Sequence, residues 1–198
     1  MRRLPLLALL VLAPLAARAQ DSDPDPSIDD SGLEIAAPAD DGSHVMGGDF
    51  SDAALGLSLP SPGPDWLRIA PVKGSATIAA AFLHPNGDKI RAVIAVAVDR
   101  KANNKDLAGY AKQTWTTLAA LPIGFSVDQK NTVKIGGRDA FVLDYSQSNK
   151  RRKYSQLYLP LPAGGIAVVT FQAPAPIFEK EVGAFRGMAK SIQFVKKR

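Results

Sequence analysis

The 198-residue chain contains no cysteine and only two histidines. Without cysteine it has no disulfide, no thiolate nucleophile and no N-terminal cysteine that could carry a lipid. Zinc sites need several His or Cys ligands at close spacing, and the sequence offers no such set. The composition therefore predicts neither a metal nor a cofactor.

Signature motifs of common enzymes are also missing. The sequence has no Gly-x-Ser-x-Gly elbow and no Gly-x-x-x-x-Gly-Lys-Ser/Thr phosphate loop. His84 precedes Pro85 at the end of a predicted strand, where we interpret it as a loop or half-buried surface histidine. His44 lies in a Gly-rich stretch and has no predicted role. Asp139 and Asp144 lie five positions apart in one predicted strand, which places them on opposite faces. We therefore predict no catalytic residues.

The one long apolar run lies at the N-terminus. Residues 1–19 have a basic start, an apolar run from Leu4 to Leu15 and small residues before Ala19. This pattern is typical of a secretory signal peptide that is cut after Ala19, and the run is shorter than the roughly 20 residues of a spanning helix. We predict a periplasmic or secreted product with no transmembrane span after cleavage.

Charge is divided unevenly along the rest of the chain. Residues 20–54 contain ten acidic residues and no Lys or Arg, and they are rich in Asp, Pro, Gly and Ser. This composition predicts a disordered acidic linker. Residues 55–198 contain 21 cations and 9 anions, so they form a strongly basic domain. Either both parts are simply solvated, or the acidic linker folds back onto the basic domain.

The periodicity of residues 55–198 predicts a single α+β domain. Helical spacing covers residues 103–121, with Asn103 or Asn104 as the cap, and residues 176–192. β-like segments separated by Gly-rich turns indicate antiparallel hairpins. Because the helices do not alternate with the strands, we predict an antiparallel sheet flanked by helices, an α/β/α sandwich.

Several short motifs and the order of these elements resemble the Mog1/PsbP-like fold, in particular its bacterial DcrB, LpqN and DUF1795 branch. The motifs are GLSLPSPGPDW from Gly56, IGGRDAFVLDY from Ile135 and GGIAVVTFQAPAPIFEKEVGAFRGMAKSIQF from Gly164. The resemblance implies binding or assembly work and no shared catalytic residue. We therefore expect an exported, non-catalytic accessory protein of the bacterial cell envelope, with an envelope protein as its partner. A hydrolase with an unrecognised site is the less favoured alternative.

One basic run is the candidate binding surface. Lys150, Arg151, Arg152 and Lys153 are consecutive, stand between two copies of Tyr-Ser-Gln, and are followed by Tyr154. Because the flanking segments are predicted strands, the run is expected to form a hairpin tip. It is either charged for solubility or binds an anionic membrane surface or an acidic protein. Nucleic acid is not expected as a partner outside the cytoplasm.

Overall fold

A computed structural model describes residues 45–46, 48–69, 78–86 and 89–195. The predicted signal peptide, His44 and residues 20–44 of the predicted linker lie outside the described residues. Within these ranges, no helix is both long and apolar enough to cross a membrane.

An eight-stranded antiparallel sheet forms the centre of the described structure. Its strands are, in sheet order, β1 (Val45–Met46), β4 (Leu67–Ile69), β5 (Ile78–Asn86), β6 (Lys89–Asp99), β10 (Ile166–Pro174), β9 (Arg152–Pro160), β8 (Arg138–Gln147) and β7 (Phe125–Ile135). The β7–β8 turn uses Gly136 and Gly137, both at positive φ, where glycine has no steric penalty. The antiparallel hairpins that the turn signals predicted are therefore present.

Two helices cover opposite faces of this sheet. Helix α1 (Leu107–Ala119) begins at Asp106, whose side chain accepts a hydrogen bond from the Gly109 backbone N–H at 2.8 Å. The predicted caps Asn103 and Asn104 are therefore wrong by two or three residues. Helix α2 (Ala175–Lys190) follows β10 directly.

The two faces of the sheet hold separate cores. On the α2 face, β10 contributes Phe171, which packs between Phe178 and Phe185 of the helix. On the α1 face, Tyr110 and Leu118 pack over a layer of strand tyrosines. Alternation along the strands explains this division, because neighbouring residues point to opposite faces. The protein is thus the α/β/α sandwich that the sequence predicted.

A second, three-stranded sheet contributes apolar side chains to the α2-face core. It contains β2 (Phe50–Asp52), β3 (Leu57–Leu59) and β11 (Gln193–Phe194). Phe50 is only 7% exposed and belongs to this core. Strands β1 and β2 lie inside the segment predicted as linker, so ordered structure begins at least ten residues earlier than position 55.

Candidate functional site

The basic run lies at the predicted hairpin tip, with Lys150 and Arg151 in the β8–β9 turn and Arg152 and Lys153 at the start of β9. Lys150 has a φ of 58°, the only positive value at a described non-glycine residue, and it makes the turn between the strands. Lys150 and Arg151 are both exposed. The Ala175 N–H donates a hydrogen bond to the Arg151 carbonyl at 2.9 Å, which ties the turn to the start of α2. The turn is therefore hydrogen-bonded to the start of helix α2.

Strand alternation separates the remaining cations of the run. Lys153 points to the α2 face, where its Nζ lies 3.3 Å from Glu179 Oε1 and 5.6 Å from the centre of the Phe178 ring. Arg152 points to the α1 face and is half-buried. Burial lowers the pKa of the Arg152 guanidinium. Among the described residues, no carboxylate forms an ion pair with Lys150, Arg151 or Arg152.

Tyr154 belongs to the core and not to the tip surface. It is 1% exposed, its ring stacks on Tyr145 at 4.8 Å, and its hydroxyl accepts a hydrogen bond from Gln147 Nε2 at 3.1 Å. Burial raises the pKa of Tyr154 to about 12. The prediction that Tyr154 contributes to partner binding is therefore wrong, because β9 turns its ring inward.

A second polar cluster lies at the ends of β5 and β6 and begins with a β-bulge. His84 pairs with Ala92 and Pro85 pairs with Ile90, so Arg91 is the extra residue of β6. A bulge disturbs the strict alternation of side chains and can turn an extra residue toward the opposite face. This accounts for Arg91 reaching the α2 face, which carries His84.

Glu181 of α2 lies between these two side chains. Its Oε2 is 2.7 Å from His84 Nδ1, and its Oε1 is 2.7 Å from Arg91 Nε. The Glu181 side chain is 6% exposed, against 19% for His84 and 25% for Arg91. The Trp66 ring stacks on the imidazole at 5.0 Å between centroids. The cluster is thus a buried carboxylate neutralised by a guanidinium, with the imidazole fixed on two sides.

The chemistry of this cluster is limited by what surrounds it. A His84 Nδ1–H that donates to Glu181 leaves Nε2 as an acceptor, the arrangement found in catalytic dyads. Within the described ranges, no Ser, Thr or Tyr hydroxyl is hydrogen-bonded to His84, and no group of three or more His, Asp or Glu side chains could hold a metal ion. Among the described residues, the cluster consists of two ion pairs that share the Glu181 carboxylate.

Sequence reasoning predicted a half-buried His84 but missed both of its partners. A signal for Glu181 exists, because it stands in the apolar stripe of α2 with Phe178, Val182 and Phe185. A carboxylate in such a stripe requires a buried partner. Arg91 gives a weaker signal, as a cation directly before the apolar run of residues 92–98 in β6.

Asp139 and Asp144 do not meet, as their spacing predicted. Asp139 forms an exposed ion pair with Lys134 at 2.7 Å. Asp144 accepts a hydrogen bond from Ser155 Oγ at 2.5 Å and lies 3.9 Å from Arg186 Nη2. Burial raises the pKa of the Asp144 carboxyl despite these two partners.

An open groove of about 440 Å³ lies between the start of α1 and the β7–β8 turn. Three cations line it, but two are engaged within the protein. Lys134 pairs with Asp139, and the Arg138 guanidinium lies 4.8 Å from the centre of the Phe194 ring. Lys105 has no such contact among the described residues. The hairpin tip therefore presents more unneutralised positive charge than this groove.

Solved structures share this architecture. LpqN of Mycobacterium tuberculosis, described as involved in cell envelope biogenesis, matches with a TM-score of 0.52 and 17% identity over 69% of this chain and 82% of its own. The cyanobacterial PsbP (CyanoP) of Synechocystis sp. PCC 6803 matches with a TM-score of 0.53 and 15% identity over 85% of this chain and 99% of its own. No protein-family model and no curated protein matches the sequence. At these identities the likeness concerns the fold.

Proposed function

From the premise that this chain has the Mog1/PsbP-like fold, as its motifs predicted and the structural matches confirm, we propose that it is an exported, non-catalytic binding or assembly protein of the bacterial cell envelope. The N-terminal signal pattern supports export. The description of LpqN as involved in cell envelope biogenesis supports the compartment. The cluster of His84, Arg91 and Glu181 supports a role without catalysis, because the Glu181 carboxylate that contacts His84 also forms an ion pair with Arg91.

The hairpin tip is the surface that we assign to binding. Lys150 and Arg151 are exposed and unneutralised among the described residues, while Arg152 adds positive charge from its half-buried position. The bond from Ala175 to Arg151 holds the turn in place, so a partner meets a preformed surface. This is the observation that carries the proposal. The partner should be acidic, and an envelope protein is the primary candidate.

An anionic membrane surface is the second candidate, and one observation favours it. Ile123 is 41% exposed in the loop after α1, and the next residue, Gly124, accepts a hydrogen bond from the Ser148 N–H at 3.1 Å. This bond places an exposed apolar side chain beside the cationic tip. Cations next to an exposed apolar residue are a composition typical of interfacial membrane contacts.

The experiment compares two paired charge removals. Lys150→Asn with Arg151→Gln removes the exposed cations of the tip, and Asn tolerates the positive φ. The matched control is Arg100→Gln with Lys101→Gln, two exposed cations that follow β6. The control lies at the other end of the sheet, because Ile166 pairs with Asp99 whereas Pro174 pairs with Arg152.

Binding is measured to immobilised envelope extract and to vesicles of phosphatidylglycerol and phosphatidylcholine. If each cation contributes about 1 kcal/mol, the tip variant should bind roughly 30-fold more weakly than the control variant. If the tip variant loses binding to the vesicles, the membrane surface is the partner. If it loses binding only to the proteins of the envelope extract, an envelope protein is the partner. Equal binding by the tip and control variants would reject the tip as the binding surface.

A further inference from the structure

The α1 face of the central sheet carries a strip of apolar side chains outside both cores. Helix α1 packs against β7, β8 and β9, at one side of this face. On the other side, Leu67, Leu83 and Val93 stand directly opposite one another across β4, β5 and β6. Ile69 and Ala81 form the next cross-strand pair. We call these five residues the apolar strip.

The apolar strip is only partly covered. Leu67 is 38% exposed, and the other four side chains are half-buried. None of the five belongs to the core cluster of the α1 face or to that of the α2 face. Partly exposed apolar side chains in adjacent rows form a continuous surface, and such surfaces mark contact sites.

A buried acceptor without a donor lies at the inner end of the strip. Gln172 of β10 pairs with Val93, and its side chain points to the α1 face because its neighbours Phe171 and Ala173 point to α2. Gln172 is 4% exposed, and its Oε1 has no hydrogen-bond partner among the described residues. A buried acceptor in this condition costs about 1–3 kcal/mol. A peptide segment supplies N–H donors together with apolar side chains, whereas a lipid chain supplies no donor.

We propose that the apolar strip is the docking site for residues 31–38 of the same chain, SGLEIAAP. The described structure begins at Val45, which pairs with Ile69 at the edge of the strip. Just before this point the sequence places Leu33 and Ile35 two positions apart. In an extended segment, two such side chains face the same surface.

The connection is long enough for this contact. Crossing from β1 to β10 spans four inter-strand spacings of about 4.8 Å, or about 19 Å. Residues 36–44 can extend over about 30 Å, at about 3.3 Å for each residue. Charge also favours the contact. Arg152 lies on the α1 face, one cross-strand pair away from Gln172 along that face. No carboxylate among the described residues forms an ion pair with Arg152. Residues 20–44 carry acidic side chains and no cation.

Disulfide trapping tests the proposal without background, because the natural chain has no cysteine. The test pair in the full chain is Ile35→Cys with Val93→Cys, because Val93 pairs with Gln172 at the inner end of the strip, which residues 36–44 are long enough to reach. The control pair is Ile35→Cys with Asp65→Cys, since Asp65 is exposed and lies outside the apolar strip, two residues before β4. The products are separated by size, which distinguishes a bond within one chain from a bond between two chains.

The test pair should form a bond within one chain about tenfold faster than the control pair, because docking raises the effective concentration of the two thiols. Hydrogen exchange provides the second measurement, in which the amides of residues 31–38 should be protected in the natural chain and lose that protection in Leu67→Asp. Equal rates for both pairs, or unprotected amides in the natural chain, would overturn the proposal. Bonds formed mainly between chains would also overturn it and would assign the strip to a second copy.

Discussion

The buried carboxylate of Glu181 allows a direct test of the ion network. The change Glu181→Gln keeps the size of the side chain but removes its charge, and it leaves one amide oxygen for the two donors. Each charge-assisted hydrogen bond is worth about 1.5–3 kcal/mol. Because His84 and Arg91 are 19% and 25% exposed, water can partly replace the lost contacts. We therefore expect the free energy of unfolding to fall by about 2–3 kcal/mol.

The same helix offers a matched control. Glu179 lies two residues earlier, is 71% exposed, and has Lys153 as its ion-pair partner among the described residues, at 3.3 Å. Exposed pairs of this kind contribute little, so Glu179→Gln should cost less than about 0.5 kcal/mol. Urea unfolding followed by tryptophan fluorescence measures both changes, since Trp66 stacks on His84. A loss below about 1 kcal/mol in Glu181→Gln would refute the buried network.

Three further predictions concern titration and backbone strain. Burial raises the pKa of Asp144, so the native state binds this proton more tightly than the unfolded state. The free energy of unfolding should then fall as pH rises from about 4 through the raised pKa. Asp144→Asn should abolish this fall, which unfolding curves at a series of acidic pH values would measure. If the stability of Asp144→Asn has the same pH dependence as that of the wild type, the prediction is wrong. The Tyr154 pKa of about 12 means that the native phenol stays protonated at pH 10, and ionisation at higher pH lowers stability by up to about 3 kcal/mol. Phenolate absorbance measures this, and a half-ionised native protein at pH 10 would contradict it. Lys150→Gly relieves a positive φ and should raise the free energy of unfolding by about 0.5–1 kcal/mol; an unchanged or lower value in urea would contradict the strain.

Local patterns were sufficient to predict most of the fold. Turn residues such as Gly136 and Gly137 marked the hairpins, and helical spacing located both helices. The start of the folded part was missed because Phe50 stands alone between polar neighbours in an acidic stretch, and only its place in the second sheet makes it a core residue. Its burial depends on contacts distant in sequence, which composition does not encode.

The candidate surfaces were predicted less completely, for geometric reasons. Four consecutive cations suggested one patch, but alternation sends Lys153 to Glu179 and leaves Arg152 half-buried on the other face. The position of Arg91 depends on a bulge, and a bulge is fixed by the register between two strands. The apolar strip likewise depends on which side of the sheet α1 covers.

In-cell photocrosslinking from the hairpin tip tests the central claim most directly. A photoreactive amino acid replaces Arg151 in one strain and Arg100, at the other end of the sheet, in a second strain. The strains are irradiated and fractionated. If the tip binds an envelope protein, position 151 should give a discrete adduct in the exported fraction, and position 100 should give none. Retention of the protein in the cytoplasm, or the same products from both positions, would contradict the claim.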